Sequence, residues 1–506
     1  MSYIRESYLY HLFITFLSLW KNSASCHLLT TLGDWFAQQV STSGILTVCC
    51  RESAVSRTWH KSRFCFLLTR LVNLPVTLLQ RLYTALKAQF DTSYAAKLAF
   101  RLGEETPIAQ SWLLLLLWII PYTNWNNGYT LIAFLLLLCM FLVRSMRNPK
   151  DLLDIPSLSF YAVIFFGCIC AAVPLSAYPD LSSRFLRYHI GAALCVLVTV
   201  STVRHIDDLK RIAAGSSAAL AVSSLYAVYQ RSQGIAVNAS YVDVSLNPDM
   251  PGRVYSFFEN PNSYAVLLIL LIPLAIALCL EAQTRATRIL AAGAAILGTA
   301  ALLMTYSRAC WVGFACAAVV FILLWNPRLA PLCLVCCVIC VPFLPSSIWS
   351  RILSIFNTSD SSTSSRLPLY EAALNAISKS PVTGVGLGTA APQKFIAQYK
   401  LYDGSHYYVH AHNLFLELWL ETGLIGLLSF LAAVLEAIRR AAHWVRNSKR
   451  SAARTMAAAS GAALCGYLVT GLADYPWSYP RVMTVFWFVF AMTIASVKIC
   501  RVEEQH

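Results

Sequence analysis

Two histidines and three further polar residues stand where a polar stretch meets an apolar segment. The histidines are His410 and His412, and Asn413, Glu417 and Glu421 follow at steps of four. Residues four apart share one face of a helix, so these three are predicted to lie together just below the histidines. Lipid does not tolerate such a face, which should look onto protein or a water-filled cavity. Because imidazole titrates near neutral pH, the stretch is a candidate general-base site at one membrane surface.

Three arginines, Arg253, Arg308 and Arg366, are the other residues whose chemistry stands out. Each lies in or beside a polar connection between apolar segments. A guanidinium stays charged at any physiological pH, and its paired N–H donors match phosphate oxygens. All three are therefore candidates for binding an anionic substrate. The alternative for each is a helix-end arginine that reaches the lipid head groups.

The same region has features of a metal site and of a phosphate-binding loop. His406, His410 and His412 could suggest metal binding, but a spacing of four and then two fits no single helix face and few acids are near. The sequence therefore predicts no metal. Glycines alternate over 384–388, which superficially suggests a phosphate loop. No strand is predicted before it, so a tight turn that steers the chain toward the membrane is favoured.

Composition determines the broad class of the protein. Of its 506 residues, 58% are hydrophobic and only 12% are charged, where a soluble protein carries about a quarter. The chain is therefore predicted to be an all-α polytopic membrane protein. Its net charge of +15 is best explained by basic loops that face anionic lipid, and no nucleic-acid partner is predicted.

The 17 cysteines do not indicate a disulfide framework, because most of them lie inside apolar runs. Four of them, at positions 333, 336, 337 and 340, recur at helical spacing among Leu, Val and Ile. A packing stripe of small residues explains this pattern better than a metal site.

About twelve apolar segments follow the first hundred residues. They lie near 111–122, 128–143, 158–174, 187–203, 212–229, 263–281, 288–305, 309–325, 329–344, 412–436, 456–473 and 481–498. Basic residues crowd the even-numbered connections, as Arg439 and Arg440 do after the tenth segment, so these connections and both termini are predicted to face the cytoplasm. The odd-numbered connections then lie outside, including a large loop over 345–411 between helices nine and ten. Arginines on that side break the trend, and an anionic substrate would explain them.

The chain divides into three predicted regions. Residues 1–107 mix basic residues with leucines at helical spacing, which is typical of a helix that lies on the cytoplasmic membrane surface. Residues 108–498 form the transmembrane domain, and 499–506 form a cytoplasmic tail. Within the outer loop, 361–365 is predicted to be a linker. An amphipathic helix follows it, ends at Ser380-Pro381 and presents one apolar face formed by Leu367, Tyr370, Ala373, Leu374 and Ile377.

Five motifs in order give the chain its resemblance to a known family. They are Gly-Arg-Val-Tyr-Ser-Phe-Phe-Glu-Asn-Pro-Asn at 252–262, Tyr-Ser-Arg-Ala-Cys-Trp at 306–311, Ser-Arg at 365–366, Gly-Val-Gly-Leu-Gly at 384–388, and the His-Asn-x-x-x-Glu-x-x-x-Glu-x-Gly-x-x-Gly pattern at 412–426. With the apolar frame around them, these motifs resemble the O-antigen ligase and O-antigen polymerase family. The resemblance covers roughly residues 110–498 and leaves out the N-terminal region.

The resemblance implies metal-independent glycosyl transfer at the outer face of the cytoplasmic membrane, with no cofactor. The donor would be a glycan on a polyprenyl diphosphate, and the acceptor a glycan, lipid or protein hydroxyl. Arg253, Arg308 and Arg366 would hold the diphosphate, and His412 would act as the base. Glu417 would orient His412 or stabilise its protonated form, although a helix-packing hydrogen bond is an equal alternative for Glu417.

Three alternatives stay open at this point. His410 competes with His412 for the role of base. A polymerase that joins repeat units would share every feature named so far. A secondary transporter also suits twelve segments, but transporters place ionisable residues near mid-membrane, whereas Glu417 and Glu421 are predicted in the outer half.

Overall fold

The computed structural model describes residues 8–236, 251–353, 366–404 and 407–505. Every regular element in those ranges is a helix, so the predicted all-α class is confirmed. The linker predicted at 361–365 and the candidate metal ligand His406 lie outside the described residues.

Eight helices make up most of the first hundred residues. They are α1 (Tyr8–Lys21), α2 (Ala24–Thr42), α3 (Gly44–Cys49), α4 (Ala54–Trp59), α5 (Arg63–Val72), α6 (Leu74–Ala85), α7 (Lys87–Thr92) and α8 (Tyr94–Glu104). Each of five helices, α2, α3, α4, α5 and α8, is preceded by a serine. The side-chain oxygen of that serine accepts a hydrogen bond from a backbone N–H in the first turn. A serine at this position satisfies a donor that the helix leaves unpaired. The serines therefore explain where these helices begin.

Helices α5 and α6 leave much of their apolar face uncovered. Phe64, Leu67 and Leu71 on α5 are exposed, as are Leu78 and Leu82 on α6. These side chains belong to the amphipathic pattern that the sequence predicts to lie on a membrane surface. That location stays a prediction.

The remaining helices form the apolar bundle and the loop that joins its ninth and tenth predicted segments. They are α9 (Thr106–Ile119), α10 (Gly128–Arg147), α11 (Phe160–Ala172), α12 (Pro179–Thr202), α13 (Ile206–Gln233), α14 (Pro261–Leu280), α15 (Arg285–Met304), α16 (Arg308–Trp325), α17 (Ala330–Cys340), α18 (Ser346–Leu353), α19 (Arg366–Lys379), α20 (Ala390–Gln398), α21 (Leu414–Asn447), α22 (Ala452–Gly471) and α23 (Pro480–Glu503). Among the helices long enough to cross a membrane, α14 and α23 are the most enclosed, with 83% and 94% of their apolar stretches buried. Both are hydrophobic around their whole circumference, as expected of central helices.

The described residues contain eight helices long and apolar enough to cross a membrane, namely α10, α12, α13, α14, α15, α16, α21 and α23. A ninth arises if the segment Pro327–Phe343 and α18, which meet at 117°, form one bent span. The predicted number of twelve is therefore confirmed only in part. The other predicted segments coincide with α9 and α11, which are too short, and with α22, whose many Ala, Gly and Ser residues lower its hydropathy.

The loops that connect the helices lie at two ends of the bundle, as the contacts between these loops show. At one end, Asn413 donates a hydrogen bond to the carbonyl of Leu472, and Ser176 donates one to the carbonyl of Val385. At the opposite end, Lys498 forms an ion pair with Asp154. The odd-numbered connections that these contacts join thus share one end, as predicted, although which end faces outward stays a prediction.

The N-terminal helices pack at the end that carries Lys498. The guanidinium of Arg439, near the end of α21, donates to the carbonyl of Arg51, and that of Arg446 donates to the carbonyl of Ser41. Arg328 forms an ion pair with Asp34 of α2 at 2.8 Å. The region 1–107 is therefore attached to the end opposite His412.

The helix predicted after position 365 is present as α19, and it ends at Lys379, directly before Ser380-Pro381. Its buried face differs from the predicted one. Ala373 and Ile377 are buried as expected, but Leu367 and Leu374 are exposed. The small residues Ala372 and Ala376 are buried instead, because the alanine side of the helix is the side that packs closely against its neighbours.

Candidate active site

Asn413 fixes the start of α21 and ties it to a distant connection. Its side-chain oxygen accepts hydrogen bonds from the backbone N–H groups of Phe415 and Leu416, which makes it the N-cap of the helix. Its side-chain nitrogen donates to the carbonyl of Leu472, at 3.0 Å. The residues that follow Leu472 are thereby brought beside the two histidines.

His412 faces Asp474 across this junction. Its Nδ1 lies 3.4 Å from Oδ1 of Asp474, a distance typical of an ion pair and long for a hydrogen bond. The side chain of His412 is 34% exposed and that of Asp474 13%, so the ring can be reached from outside while the carboxylate is enclosed. The backbone of His412 has φ of 44°, a left-handed conformation that is uncommon for a residue other than glycine.

Asp474 keeps its negative charge although it is buried. Burial by itself would raise the pKa of this carboxyl group, but the neighbouring imidazole of His412, followed by His410 and Arg366, lowers the pKa below its ordinary value. An ionised carboxylate beside an imidazole orients the ring and stabilises its protonated form. Sequence reasoning missed Asp474, although a lone acid between two apolar segments was a usable signal.

His410 has a different environment from His412. It is 8% exposed, and its Nδ1 accepts a hydrogen bond from the backbone N–H of His412 at 3.1 Å. Burial, then the charges of His412 and Arg366, lower the pKa of His410 to about 3. His410 is therefore neutral at pH 7 and supports the backbone of His412, which makes His412 the better placed of the two histidines to accept a proton.

Arg366 lies near this cluster. It is the first residue of α19 and half-buried, and its positive charge acts on both His410 and Asp474. The structure thus brings the predicted Arg366 close enough to the histidine cluster for its charge to act on it.

The two glutamates of α21 bind loops rather than His412. Glu417 is fully buried, and its Oε2 accepts hydrogen bonds from the hydroxyl of Tyr408 at 3.0 Å and from the backbone N–H of Ala411 at 2.7 Å. These two bonds do not reach His412, and the carboxylate that pairs with His412 is that of Asp474. Through them Glu417 holds the backbone on which both histidines lie, and its predicted action on His412 stays a prediction.

The glycine-rich stretch 384–388 is a turn that docks on a break in α21. Gly384, Gly386 and Gly388 have φ of 71°, 126° and 76°, and Gly423 within α21 has φ of 73°. Such values favour glycine because it has no Cβ. A Cβ on Gly386 would lie 2.0 Å from Oγ of Ser176.

The N–H groups of this turn are already occupied by protein acceptors. Those of Val385 and Gly386 donate to the carbonyls of Leu420 and Glu421, and that of Gly388 donates to the side chain of Glu421 at 2.9 Å. A phosphate-binding loop needs N–H groups that point into open space. The stretch is thus a structural turn, in agreement with the interpretation favoured from the sequence.

Arg253 and Arg308 meet at the short turn between α15 and α16. The Nε of Arg253, which is 8% exposed, donates to the carbonyl of Thr305 at 2.6 Å, and its Nη2 donates to the side chain of Asn262. Arg308 is half-buried at the first position of α16. Arg253 therefore connects the turn that carries Arg308 to the start of α14.

A third arginine, missed in the sequence analysis, reaches the same turn. Arg351 of α18 is 7% exposed, and its Nε donates to the carbonyl of Tyr306, at 3.5 Å. Helix α16 then packs closely on α22, because a Cβ on Gly313 would lie 2.6 Å from the carbonyl oxygen of Gly466. This approach brings the start of α16 to the end of α22, from which Asp474 follows.

Two charged residues at this end of the bundle act on the same buried side chain. Both Arg253 and Asp474 act electrostatically on Cys310 of α16, which is fully buried. The arginine turn and the acid that pairs with His412 therefore both lie near Cys310. No group of three His, Cys, Asp or Glu side chains within the described ranges is arranged to hold a metal ion.

Residues 293–431 match the family model described as O-antigen ligase. This stretch is O-antigen ligase-like. It contains Arg308, Arg366, His412 and Glu417, whereas Arg253 and Asp474 lie outside it. The match confirms the resemblance predicted from the sequence, and no curated protein matches the chain. Together with its apolar helices, the O-antigen ligase-like stretch indicates a multi-pass membrane protein.

Proposed function

We propose that this protein transfers a glycan from a polyprenyl diphosphate to an acceptor hydroxyl at the outer face of the cytoplasmic membrane. The observation that carries the proposal is the pair of His412 and Asp474 near Arg366. His412 and Arg366 both lie within the O-antigen ligase-like stretch. A base, its orienting acid and a permanent cation are the groups that such a transfer requires.

In the proposed reaction, Nε2 of His412 accepts the proton of the acceptor hydroxyl. The hydroxyl oxygen forms a bond to the anomeric carbon of the donor, and the bond from that carbon to the diphosphate oxygen breaks. Asp474 stabilises the imidazolium that forms. The donor bond supplies the energy of the reaction, so no nucleotide is needed outside the membrane.

The leaving diphosphate gains negative charge as the bond breaks, and arginine compensates it with paired donors. Arg366 is the first candidate because its charge acts on the histidine cluster. Arg308 is the second candidate, since it lies on the turn that faces the loop containing Asp474. We assign Arg253 a bracing role beside them, because its donors to Thr305 and Asn262 connect that turn to the start of α14.

The proposed orientation places the connection of His412 outside and both termini in the cytoplasm. The basic residues at the opposite end, among them Arg439 and Arg446, support this orientation. The exposed leucines of α5 and α6 would then rest on the inner leaflet, where anionic lipids attract basic segments.

Mass analysis of surface glycans in cells with and without the protein tests this proposal. A ligase predicts that glycan disappears from its acceptor at unchanged chain length, whereas a polymerase predicts shorter chains. His412→Ala should reproduce the deletion, and His443→Ala, a histidine at the opposite end, should not. Unchanged glycans together with altered uptake of a solute would favour a transporter. Transfer by the purified protein should persist in EDTA, and its loss there would contradict the metal-independent scheme.

A further inference from the structure

A cleft of about 150 Å³ lies at the end of the bundle opposite His412, between the N-terminal region and the ends of α21 and α23. One of its walls is apolar and includes Trp444, Ile494 and Val497. Its rim is basic and includes Arg440, Lys498 and Arg501. The cleft is therefore amphipathic, and none of the site residues described above contributes to it.

Two of the three rim cations are already neutralised by neighbours. Arg440 forms an ion pair with Glu436 at 3.1 Å, and Lys498 pairs with Asp154 at 3.0 Å. Arg501 is exposed, and within the described part of the chain it has neither an ion pair nor a hydrogen bond. Arg501 is thus the cation that is available to a ligand.

The pKa of His60 indicates the sign of the electrostatic potential in the cleft. Burial, followed by the positive charge of Arg501, lowers the pKa of His60 below its ordinary value. Glu52 opposes this effect, while Lys61 and Arg440 reinforce it. The mouth of the cleft therefore carries positive potential, and a neutral His60 offers a hydrogen-bond partner there.

The geometry points to a binding site for the head group of an anionic phospholipid, with its phosphate on Arg501 and its glycerol along Trp444. The cleft is smaller than the roughly 300–1,000 Å³ of pockets that enclose a whole drug-sized ligand, so the acyl chains would stay outside. Its place near the ends of two membrane-crossing helices matches the depth of lipid head groups. The apolar wall favours a lipid over free phosphate, which would gain nothing from it.

The site connects the N-terminal region to the bundle. Glu52, Ser56 and His60 belong to the N-terminal region, whereas Trp444 and Arg501 belong to α21 and α23. A lipid head group in the cleft would contact both parts at once. Anionic lipid should therefore hold the N-terminal helices against the bundle.

The test is lipid retention by the full-length protein purified in detergent and titrated with phosphatidylglycerol, read by native mass spectrometry. Arg501→Gln should weaken binding about fivefold, the effect expected of one basic residue at an anionic surface. Arg501→Lys should retain most of it. Arg285→Gln is the matched control, because Arg285 is exposed at the first position of α15 and does not line the cleft.

Three results would overturn the inference. Equal retention by Arg501→Gln and Arg285→Gln would show that the cleft does not bind the lipid. Phosphatidylcholine binding as tightly as phosphatidylglycerol would show that only the apolar wall acts. Displacement of phosphatidylglycerol by millimolar inorganic phosphate would assign the site to free anions. A limited-proteolysis assay completes the test, since phosphatidylglycerol should protect the 50–60 segment in the wild type and not in Arg501→Gln.

Discussion

The Nδ1 of His412 lies 3.4 Å from Oδ1 of Asp474, although two long helices, α21 and α22, separate the two residues in the chain. Asn413 creates this proximity, because it caps α21 and also bonds to the carbonyl of Leu472. The sequence identifies His412 as a candidate base. The fold places Asp474, which follows α22, beside the imidazole of His412, which precedes α21.

His412→Ala is expected to abolish transfer while leaving the protein inserted and folded, because the ring is partly exposed and supports no described helix. His410→Asn should retain part of the activity, since His410 acts on the backbone of His412 and an amide oxygen can replace its acceptor. The measurement is glycan transfer by each variant at matched protein levels in the membrane. Full activity in His412→Ala with loss in His410→Asn would reverse the assignment.

Asp474→Asn is expected to lower the rate about 10³- to 10⁴-fold, the scale seen when an orienting acid of this kind is neutralised. The amide keeps the shape of the side chain but cannot stabilise an imidazolium. In the activity that remains, the acid limb of the pH profile should move toward lower pH, because the amide no longer stabilises the protonated imidazole. A variant with wild-type rate and pH profile would exclude Asp474 from the mechanism.

His410 gives a prediction for stability against pH. Its pKa of about 3 lies below the ordinary value near 6.5, so the unfolded chain binds a proton that the folded chain excludes. Stability from this group is complete above pH 6.5 and declines as the pH falls toward 3, by about 2 kcal/mol at pH 5. Thermal unfolding in detergent at pH 7 and pH 5 measures the effect. His410→Asn should flatten the difference, and an unchanged difference would contradict the buried, neutral state of His410.

The hydrophobic pattern of the sequence predicts much of the fold but only part of the candidate site. The apolar segments and the extent of α19 are local features, which residue spacing records directly. The predicted number of spans is confirmed only in part, because α9 and α11 are apolar but only 14 and 13 residues long. Asp474 and Arg351 were missed because their roles depend on contacts between distant parts of the chain, and one sequence carries no record of such contacts.

Replacing arginine with lysine should separate binding residues from bracing residues. Arg366→Lys and Arg308→Lys should reduce transfer strongly without loss of folded protein, because an ammonium group cannot offer the paired donors of a guanidinium. Arg253→Lys should mainly lower the melting temperature, since the bonds of Arg253 to Thr305 and Asn262 brace the backbone. The comparison needs activity and thermal unfolding of all three variants. Wild-type activity in both Arg366→Lys and Arg308→Lys would remove the diphosphate role.

Glu417→Gln is expected to reduce activity about tenfold through the loop that carries the histidines, because hydrogen bonds to a charged acceptor are stronger by about 1–2 kcal/mol. The affected bonds are those from Tyr408 and Ala411. The melting temperature should fall together with the activity. If activity is lost as completely as in His412→Ala while stability is unchanged, Glu417 takes part in the chemistry directly.

Gly386→Ala tests whether the turn at 384–388 holds the site together. A methyl group there would meet Oγ of Ser176 at 2.0 Å in a backbone conformation that alanine disfavours, so the turn should separate from α21. We expect a marked loss of folded protein or, in the protein that remains, lost transfer. Gly293→Ala is the control, because a Cβ at that helical position meets nothing within 4 Å and should leave stability equal or raised by up to about 1 kcal/mol. Equal folding and equal activity of the two variants would show that the contact between the turn and α21 is dispensable for placing His412.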